Sequence, residues 1–536
     1  MRGQVLAIAL VIVSGVATFV AALGTMGALQ RSQQSFYEEA RFGEAFVSLK
    51  RAPTDVARRL QGLSGIASVQ TRVVADARLE VAAFEEPITG QLVSVPVQGP
   101  PTLNQLVVRE GRMPRGGRET ETVVSEAFAE AHDLRPGDEL GAIINGRRRT
   151  LTVVGVVLSP EYVYQIEPGG FFPSPERFGV LWMPRPALAA AYDMDGAFNS
   201  ASFTFAAGAT PETVLDRVDE VLAPYGGRDA YLREDQVSHR YLTEELRQLE
   251  QLATVLPITF LAVAAFLLNV VIGRLIRTQR EVIATLKAFG YGDRAIGAHY
   301  LGMVLLIVAL GAAGGVAVGT WMGRALARLY LEFYKFPTLE YALEVETVAI
   351  AVGVTALAAV GGTLYAVWQA VALQPARAMQ PEPPAVYRQT VVERLGLQEA
   401  FDQPTRMILR HLERRPWKAV LSVVGIAASI AILMAGTFFG DAMDHMIDVQ
   451  FNRAQRQDLT VTFTQPTSAD ALYELRSLRG VTAAEPFRSV PVRFRHAHRS
   501  YRVGIEGLAP NPTLRRPLNE ALRPDRKSTR LNSSHR

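Results

Sequence analysis

AHYLGMVLLIVALGAAGGVAVGTWMGRAL, residues 298–326, decides the fold. Its one arginine, Arg324, stands near the end, and no acidic residue or lysine interrupts it. About 20 apolar residues carry a helix across the hydrocarbon of a bilayer. In that medium the backbone must satisfy its own hydrogen bonds, so the stretch is read as a helix. Gly311, Gly315, Gly319 and Gly323 recur every fourth residue within it. That spacing puts a glycine stripe on one face, where a second helix can approach closely. The stripe predicts helix packing rather than a transport role.

Four other stretches share this character. The spans are assigned to residues 1–29, 251–276, 298–327, 347–373 and 417–440. The first starts with a cation, Arg2, as a secretory signal does, but its apolar run exceeds the roughly 7–15 residues of a signal core. It is therefore read as an uncleaved span. Between and after the spans lie a water-exposed segment at 30–250, short loops, a linker at 374–416 and a second soluble segment at 441–525.

Basic side chains set the expected orientation. The loop after span two holds Arg274, Arg277, Arg280, Lys287 and Arg294, and the linker before span five holds eight further cations between Arg377 and Lys418. Both are expected in the cytoplasm. The loop between spans three and four carries Lys335 against Glu332, Glu340, Glu344 and Glu346, which suits the outside. The N-terminus is then cytoplasmic, and residues 30–250 and 441–525 are external.

The segment at 30–250 reads as α+β. Asp55–Leu63 has helical periodicity and stops at Gly65. Arg147–Leu158 (RRRTLTVVGVVL) follows Asn145-Gly146, a two-residue hairpin signal, so Asp138–Leu158 predicts a hairpin in a small sheet or barrel. Leu242, Leu246, Leu249 and Ala253 make a heptad-like seam that is expected to run on into span two as a stalk.

The N-terminal pattern recurs at an offset of 415. Leu6, Phe36, Arg41, Asp55, Leu60, Leu63 and Gly65 align with Leu421, Phe451, Arg456, Asp470, Leu475, Leu478 and Gly480. Further on, Gly99 aligns with Gly507 at a shorter offset. The pattern reads as duplication of a whole membrane module. Spans two to four are expected to recur beyond Arg536, which makes this a C-terminally truncated eight-span chain. Residues 526–536 (RKSTRLNSSHR) fit no surrounding pattern and are read as a non-native tail.

Composition excludes several activities. The net charge of +4 gives no ground for nucleic-acid binding, and the absence of cysteine removes disulfides, thiolate metal sites and a cysteine nucleophile. None of the five lysines follows a glycine, so no Gly-Lys-Ser/Thr phosphate loop is present. Neither HExxH nor GxSxG occurs. His496 and His498 share a strand face but have no third ligand, so no metal site is assigned. Glu346 is read as an interfacial side chain.

One cytoplasmic segment remains: Arg277–Gly292, RTQREVIATLKAFGYG. Val282, Ile283, Leu286 and Phe289 fall on one helical face and Arg280, Glu281 and Lys287 elsewhere, with Gly290 or Gly292 as a stop. Periodicity alone leaves it open whether such a helix lies on lipid or docks on a partner.

These residues, just after one span and just before a glycine-rich one, resemble the signature of FtsX-like permeases, which include the MacB-type and lipoprotein-releasing ABC transporters. Glu110-Gly111-Arg112-Met113-Pro114, the Val123–Val157 stretch and Leu373–Met379 resemble family motifs in the same order along the chain. The resemblance implies a multi-span α-helical membrane protein with α+β extracytoplasmic domains of the MacB-like periplasmic core type. Two modules in one chain resemble the tandem branch of the family. It implies a coupling helix that docks on an ATPase subunit, and Arg277, Arg280, Glu281, Ile283, Leu286, Lys287, Phe289 and Gly290 are the expected contacts. ATP and magnesium then belong to that partner, which works as a dimer, and this chain needs no cofactor. Other expected partners are membrane lipids and a periplasmic protein. The expected site is the bacterial cytoplasmic (inner) membrane, and the expected work is export, extraction of a lipid, lipoprotein or hydrophobic compound, or force transmission. The alternative is a membrane-anchored sensor or scaffold with a ligand-binding external domain.

Overall fold

The computed structural model describes residues 2–81, 84–167, 173–372, 402, 405, 408, 416–463, 467–496 and 499–524. The chain divides into two compact units, 1–425 and 426–536. Five of the described helices are long and apolar enough to cross a membrane. Four belong wholly to the first unit: α1 (Arg2–Glu39), α6 (Val237–Thr278), α8 (Asp293–Phe333) and α9 (Val345–Val371). At 1.5 Å per residue, α1, α6 and α8 are each about 60 Å long, twice the hydrocarbon thickness. Their surplus length is amphipathic and forms a stalk. Leu242, Leu249 and Ala253 are buried, and α6 continues unbroken through Pro257 into its apolar half. Gln236 caps α6 by accepting the His239 amide at 2.7 Å. Ile8, Ile12, Val16 and Val20 of α1 fill the bundle core beside Leu268 and Ile272 of α6 and Val304 and Val308 of α8.

Between α1 and α6 stands a two-part head. Its first part is an antiparallel sheet in the order β11-β1-β10-β2: β1 (Ala45–Pro53), β2 (Ile66–Arg72), β10 (Ala197–Phe205) and β11 (Arg228–Leu232). Helices α2 (Thr54–Gln61) and α5 (Pro211–Leu222) cover one face, where Val47, Leu60, Phe198, Phe203 and Val218 form the core.

The second part is inserted between β2 and β10. It contains β3 (Val74–Val81), β4 (Phe84–Val95), β5 (Val107–Gly111), β6 (Glu121–Ser125), β7 (Glu139–Ile144), β8 (Arg147–Leu158) and β9 (Phe178–Pro184). Pairing runs β8-β6-β9-β4-β3-β7 and back from β7 to β8, which closes a barrel, with β5 added outside β8. Closure removes the exposed edges of the sheet. Two pairs, β6–β8 and β4–β9, are parallel. Every residue of β9 is buried: Leu181 and Met183 lie in the barrel core, which α3 (Glu126–Ala131) and α4 (Arg185–Ala191) join, and Phe178, Val180 and Trp182 pack on the other side with Leu106, Met113 and Tyr162. Asn145 (φ 46°) and Gly146 (φ 76°) make the tight β7–β8 turn, as the Asn-Gly pair predicts.

Glu110–Pro114 is a structural joint. Gly111 has φ 74°, and a Cβ there would lie 2.3 Å from the Val154 carbonyl oxygen. Arg112 forks onto Glu121 at 2.7 and 2.8 Å. That pairing holds the Glu121 carboxyl low, at about 2, with help from the Arg115 amide.

The second unit takes in most of α10 (Pro416–Ile447), followed by a π-helical turn at Asp448–Ala454, α11 (Asp470–Ser477) and an antiparallel hairpin of β12 (Phe487–His496) and β13 (Arg499–Leu508). Around α11 its backbone repeats the N-terminal one at the 415 offset, although 460–463 and 481–486, opposite β1 and β2, form no strand. Leu63 and Ile66 amides bond to the Leu60 and Leu63 carbonyls, and Leu478 and Val481 amides to those of Leu475 and Leu478. Gly65 and Gly480 both have φ 97°. The later alignment does not hold: Gly99 is a turn residue with φ 71°, whereas Gly507 lies inside β13. The proposed tail 526–536, His498, the side chain of His496, Leu373–Met379 and most of the linker lie outside the described residues.

Candidate functional site

Between α6 and α8 the chain makes a separate short helix, α7 (Arg280–Ala288). Gln279 ends α6, and its side chain accepts the Tyr300 hydroxyl of α8 at 2.8 Å, which fixes the corner. Gly290, at φ 97°, closes α7: its amide bonds to the Lys287 carbonyl, and that of Tyr291 reaches back to Leu286 at 3.1 Å. This is the left-handed glycine stop that a helix followed by a new direction needs.

The eight residues expected to meet a partner separate into three groups. Ile283, at 2% exposure, joins the core of the bundle beside the buried Ala284. Lys287 also turns inward, with its side chain 9% exposed. Its ammonium bonds to the Val371 carbonyl at the end of α9 and lies 2.8 Å from Asp293 at the start of α8. It therefore pins α7 to two long helices: a cation suits the carbonyl end of one, and its carboxylate partner suits the amide end of the other. Arg280 is half-buried. Arg277, Glu281, Leu286, Phe289 and Gly290 face outward.

What remains on the surface is apolar at i, i+4 and i+7. Val282 is 58% exposed, Leu286 38% and Phe289 81%, with Tyr291 beside them. The four-residue face expected from periodicity is thus a three-residue stripe, because Ile283 is one step round and serves the bundle.

The glycine stripe of α8 lies against α1. A Cβ at Gly311 would come 2.7 Å from Ile12, at Gly315 2.5 Å from Val16, and at Gly319 2.7 Å from the Ala17 carbonyl oxygen. The i, i+4 ridge of α1 sits in the groove the glycines leave. Gly323 departs from this pattern: its neighbour is the Tyr341 ring from the α8–α9 loop. Glu346 stands exposed in the first turn of α9.

The α8–α9 loop does more than its acidic composition suggests. Phe336 is wholly buried among Phe36 of α1 and the base of the head. Tyr334 bridges Tyr164, the Lys335 amide bonds to the Val163 carbonyl, and Arg109 donates to the Phe336 carbonyl at 2.8 Å. Lys335 pairs with Glu130 of α3 at 2.5 Å. The end of α8 is hooked to the barrel. Sequence reading missed this because the loop's contacts lie some 200 residues away; the one signal was a lysine and three aromatic residues in an otherwise acidic loop.

Among the described residues no cluster of three metal-ligating side chains occurs.

Comparison with known proteins bears on both halves of this arrangement. Residues 5–221 match the MacB-like periplasmic core domain, and residues 254–375 match the FtsX-like permease C-terminal region. Among solved structures the chain is similar to the extracellular domain of a noncanonic ABC-type transporter, YknZ, from Gram-positive bacteria. Identity is 12% and the TM-score 0.24, covering 35% of this chain and 98% of that one. It is also similar to the periplasmic region of MacB from Actinobacillus actinomycetemcomitans, at 11% identity and TM-score 0.25, covering 38% and 92%. No curated protein matches the chain.

Proposed function

Since the chain is an ABC transporter permease of the FtsX-like family with a MacB-like periplasmic core domain as its head, we propose that it is the membrane subunit through which a separate ATPase works on the far side of a bacterial cytoplasmic membrane. In this reading α7 and the N-terminus are cytoplasmic and the head is external. The ATPase dimer holds ATP and magnesium. The work is export or extraction of a lipid, lipoprotein or hydrophobic compound, or force delivered to the head.

The observation that carries the reading is the outward stripe of Val282, Leu286 and Phe289 on a helix pinned from behind by Lys287. An apolar i, i+4, i+7 row on a short helix is what a groove on another protein accepts. The pin matters as much as the row. A push on α7 passes through Lys287 to α8 and α9, and through the Gln279–Tyr300 corner to α6. Helix α6 runs without a break to the head, and α8 ends on the Phe336 hook.

The test is co-purification of the ATPase with a Leu286→Asp, Phe289→Asp double variant, together with ATPase stimulation in reconstituted vesicles. Both association and stimulation should be lost while the permease stays folded. Unchanged association would sink the assignment of α7. Stimulation by the unaltered pair excludes a passive scaffold.

A further inference from the structure

A cleft of about 550 Å³ lies where the four-stranded sheet, the barrel and the first turn of α6 meet. One wall is the open face of the sheet, the face that α2 and α5 do not cover. A single cross-strand row runs along it: Arg228 of β11 opposes Ser48 of β1, Ser48 opposes Ser200 of β10, and Ser200 opposes Arg72 of β2. The other wall comes from the barrel and the short 3-10 turn at Pro160–Tyr162. The floor is Gln236–Tyr241 of α6.

The charges in this cleft fall into two classes. Arg72 and Glu161 satisfy each other: both guanidinium Nη atoms bond to the carboxylate, Nε bonds to Ser200 at 3.3 Å, and both side chains are nearly buried. That pair ties the barrel to the sheet and has nothing left for a ligand. Arg228, Arg240, Asp76 and Glu167 also line the cleft, and among the described residues their side chains make no ion pair or hydrogen bond. The two cations come from the sheet and the stalk, and the two carboxylates from the barrel and the segment after the 3-10 turn. The rest of the lining includes an aromatic and amide-like surface. It includes Tyr162, whose hydroxyl bonds to Gln91 at 2.5 Å, Tyr231, and Tyr164 stacked on Tyr241 at 4.8 Å.

We infer that this cleft is a binding site for a short zwitterionic peptide, with its carboxylate at Arg228 and Arg240 and its ammonium at Asp76 and Glu167. The volume falls within the roughly 300–1,000 Å³ of small-ligand sites, and a single amino acid would leave much of it unfilled. Ser48 and the Gln91 amide offer partners for peptide groups, and the tyrosines offer faces for an apolar side chain. Such a ligand touches the sheet, the barrel and α6 together. This inference stands apart from the docking of an ATPase on α7.

The full-length protein in lipid nanodiscs is titrated calorimetrically with Ala-Phe-Ala bearing free ends, and with its N-acetylated and C-amidated forms. The free peptide should bind saturably, and each block should weaken it by about tenfold or more, the worth of one charged hydrogen bond. Arg240→Gln should weaken the free peptide similarly yet leave the C-amidated form unchanged, and Asp76→Asn should do the same with respect to the N-acetylated form. Comparing peptides within one variant separates a lost contact from misfolding. Absence of saturable binding of the free peptide, or equal binding of the blocked forms, overturns the proposal.

Discussion

Single residues in this protein divide by what surrounds them rather than by type. Gly315 and Gly302 sit on the same helix. A Cβ at Gly315 would press to 2.5 Å from Val16, whereas a Cβ at Gly302 meets nothing within 4 Å. The same substitution should therefore act with opposite sign. Gly315→Ala forces α1 and α8 apart and should cost about 1–3 kcal/mol, the range for overpacking. Gly302→Ala gains helix propensity and should stabilise by about 1 kcal/mol. Thermal unfolding in detergent reads both; equal shifts for the two would mean that the stripe does not set the α1–α8 approach. The four-residue spacing made the stripe legible in the sequence. The neighbour at Gly323 was not legible, because Tyr341 arrives from a loop. Ile283 and Lys287 teach the same limit at α7. A hydrophobic period marks the two sides of a helix but does not say which side the rest of the protein already occupies.

Elements were legible where their cause is local. Apolar length gives the long helices, the heptad seam gives the stalk, and Asn145-Gly146 gives the β7–β8 turn. The barrel was only partly legible, since its parallel pairs β4–β9 and β6–β8 join strands separated by other structure. The hook of the α8–α9 loop was hidden for the same reason. It gives the head a third attachment besides α1 and α6, and Phe336 is its most buried point. Phe336→Ala removes that side chain from among Phe36, Tyr334 and their neighbours, and should cost about 3–5 kcal/mol where local collapse is small. Hydrogen exchange offers a sharper reading than a melting point. Amides at 334–336, whose partners include Val163, should exchange faster in the variant, while those in the barrel core keep their protection. Unaltered exchange at these amides would show that the loop is held without its phenylalanine.

At the scale of the whole molecule, the natural absence of cysteine makes topology directly readable. Phe289→Cys on α7 and Arg147→Cys at the barrel hairpin should label from opposite sides of the membrane with an impermeant maleimide, and Arg2→Cys should behave like the α7 position. Labelling of Phe289→Cys and Arg147→Cys from the same side would overturn the proposed orientation. The repeat belongs to this scale too: matching hydrogen bonds at Leu63 and Leu478, and matching glycine conformations at Gly65 and Gly480, show one local design used twice. The head contains a further lesson. The barrel leaves the sheet after Arg72 and returns before Ser200, and those two residues are cross-strand neighbours. An insertion whose ends meet on adjacent strands can be exchanged for another of equal end spacing without altering how β1, β2, β10 and β11 pair. Residues 73–196, between the end of β2 and the start of β10, are thus a cassette. Selection can rewrite them, and an engineer can replace them, while the helices that anchor the protein keep their register.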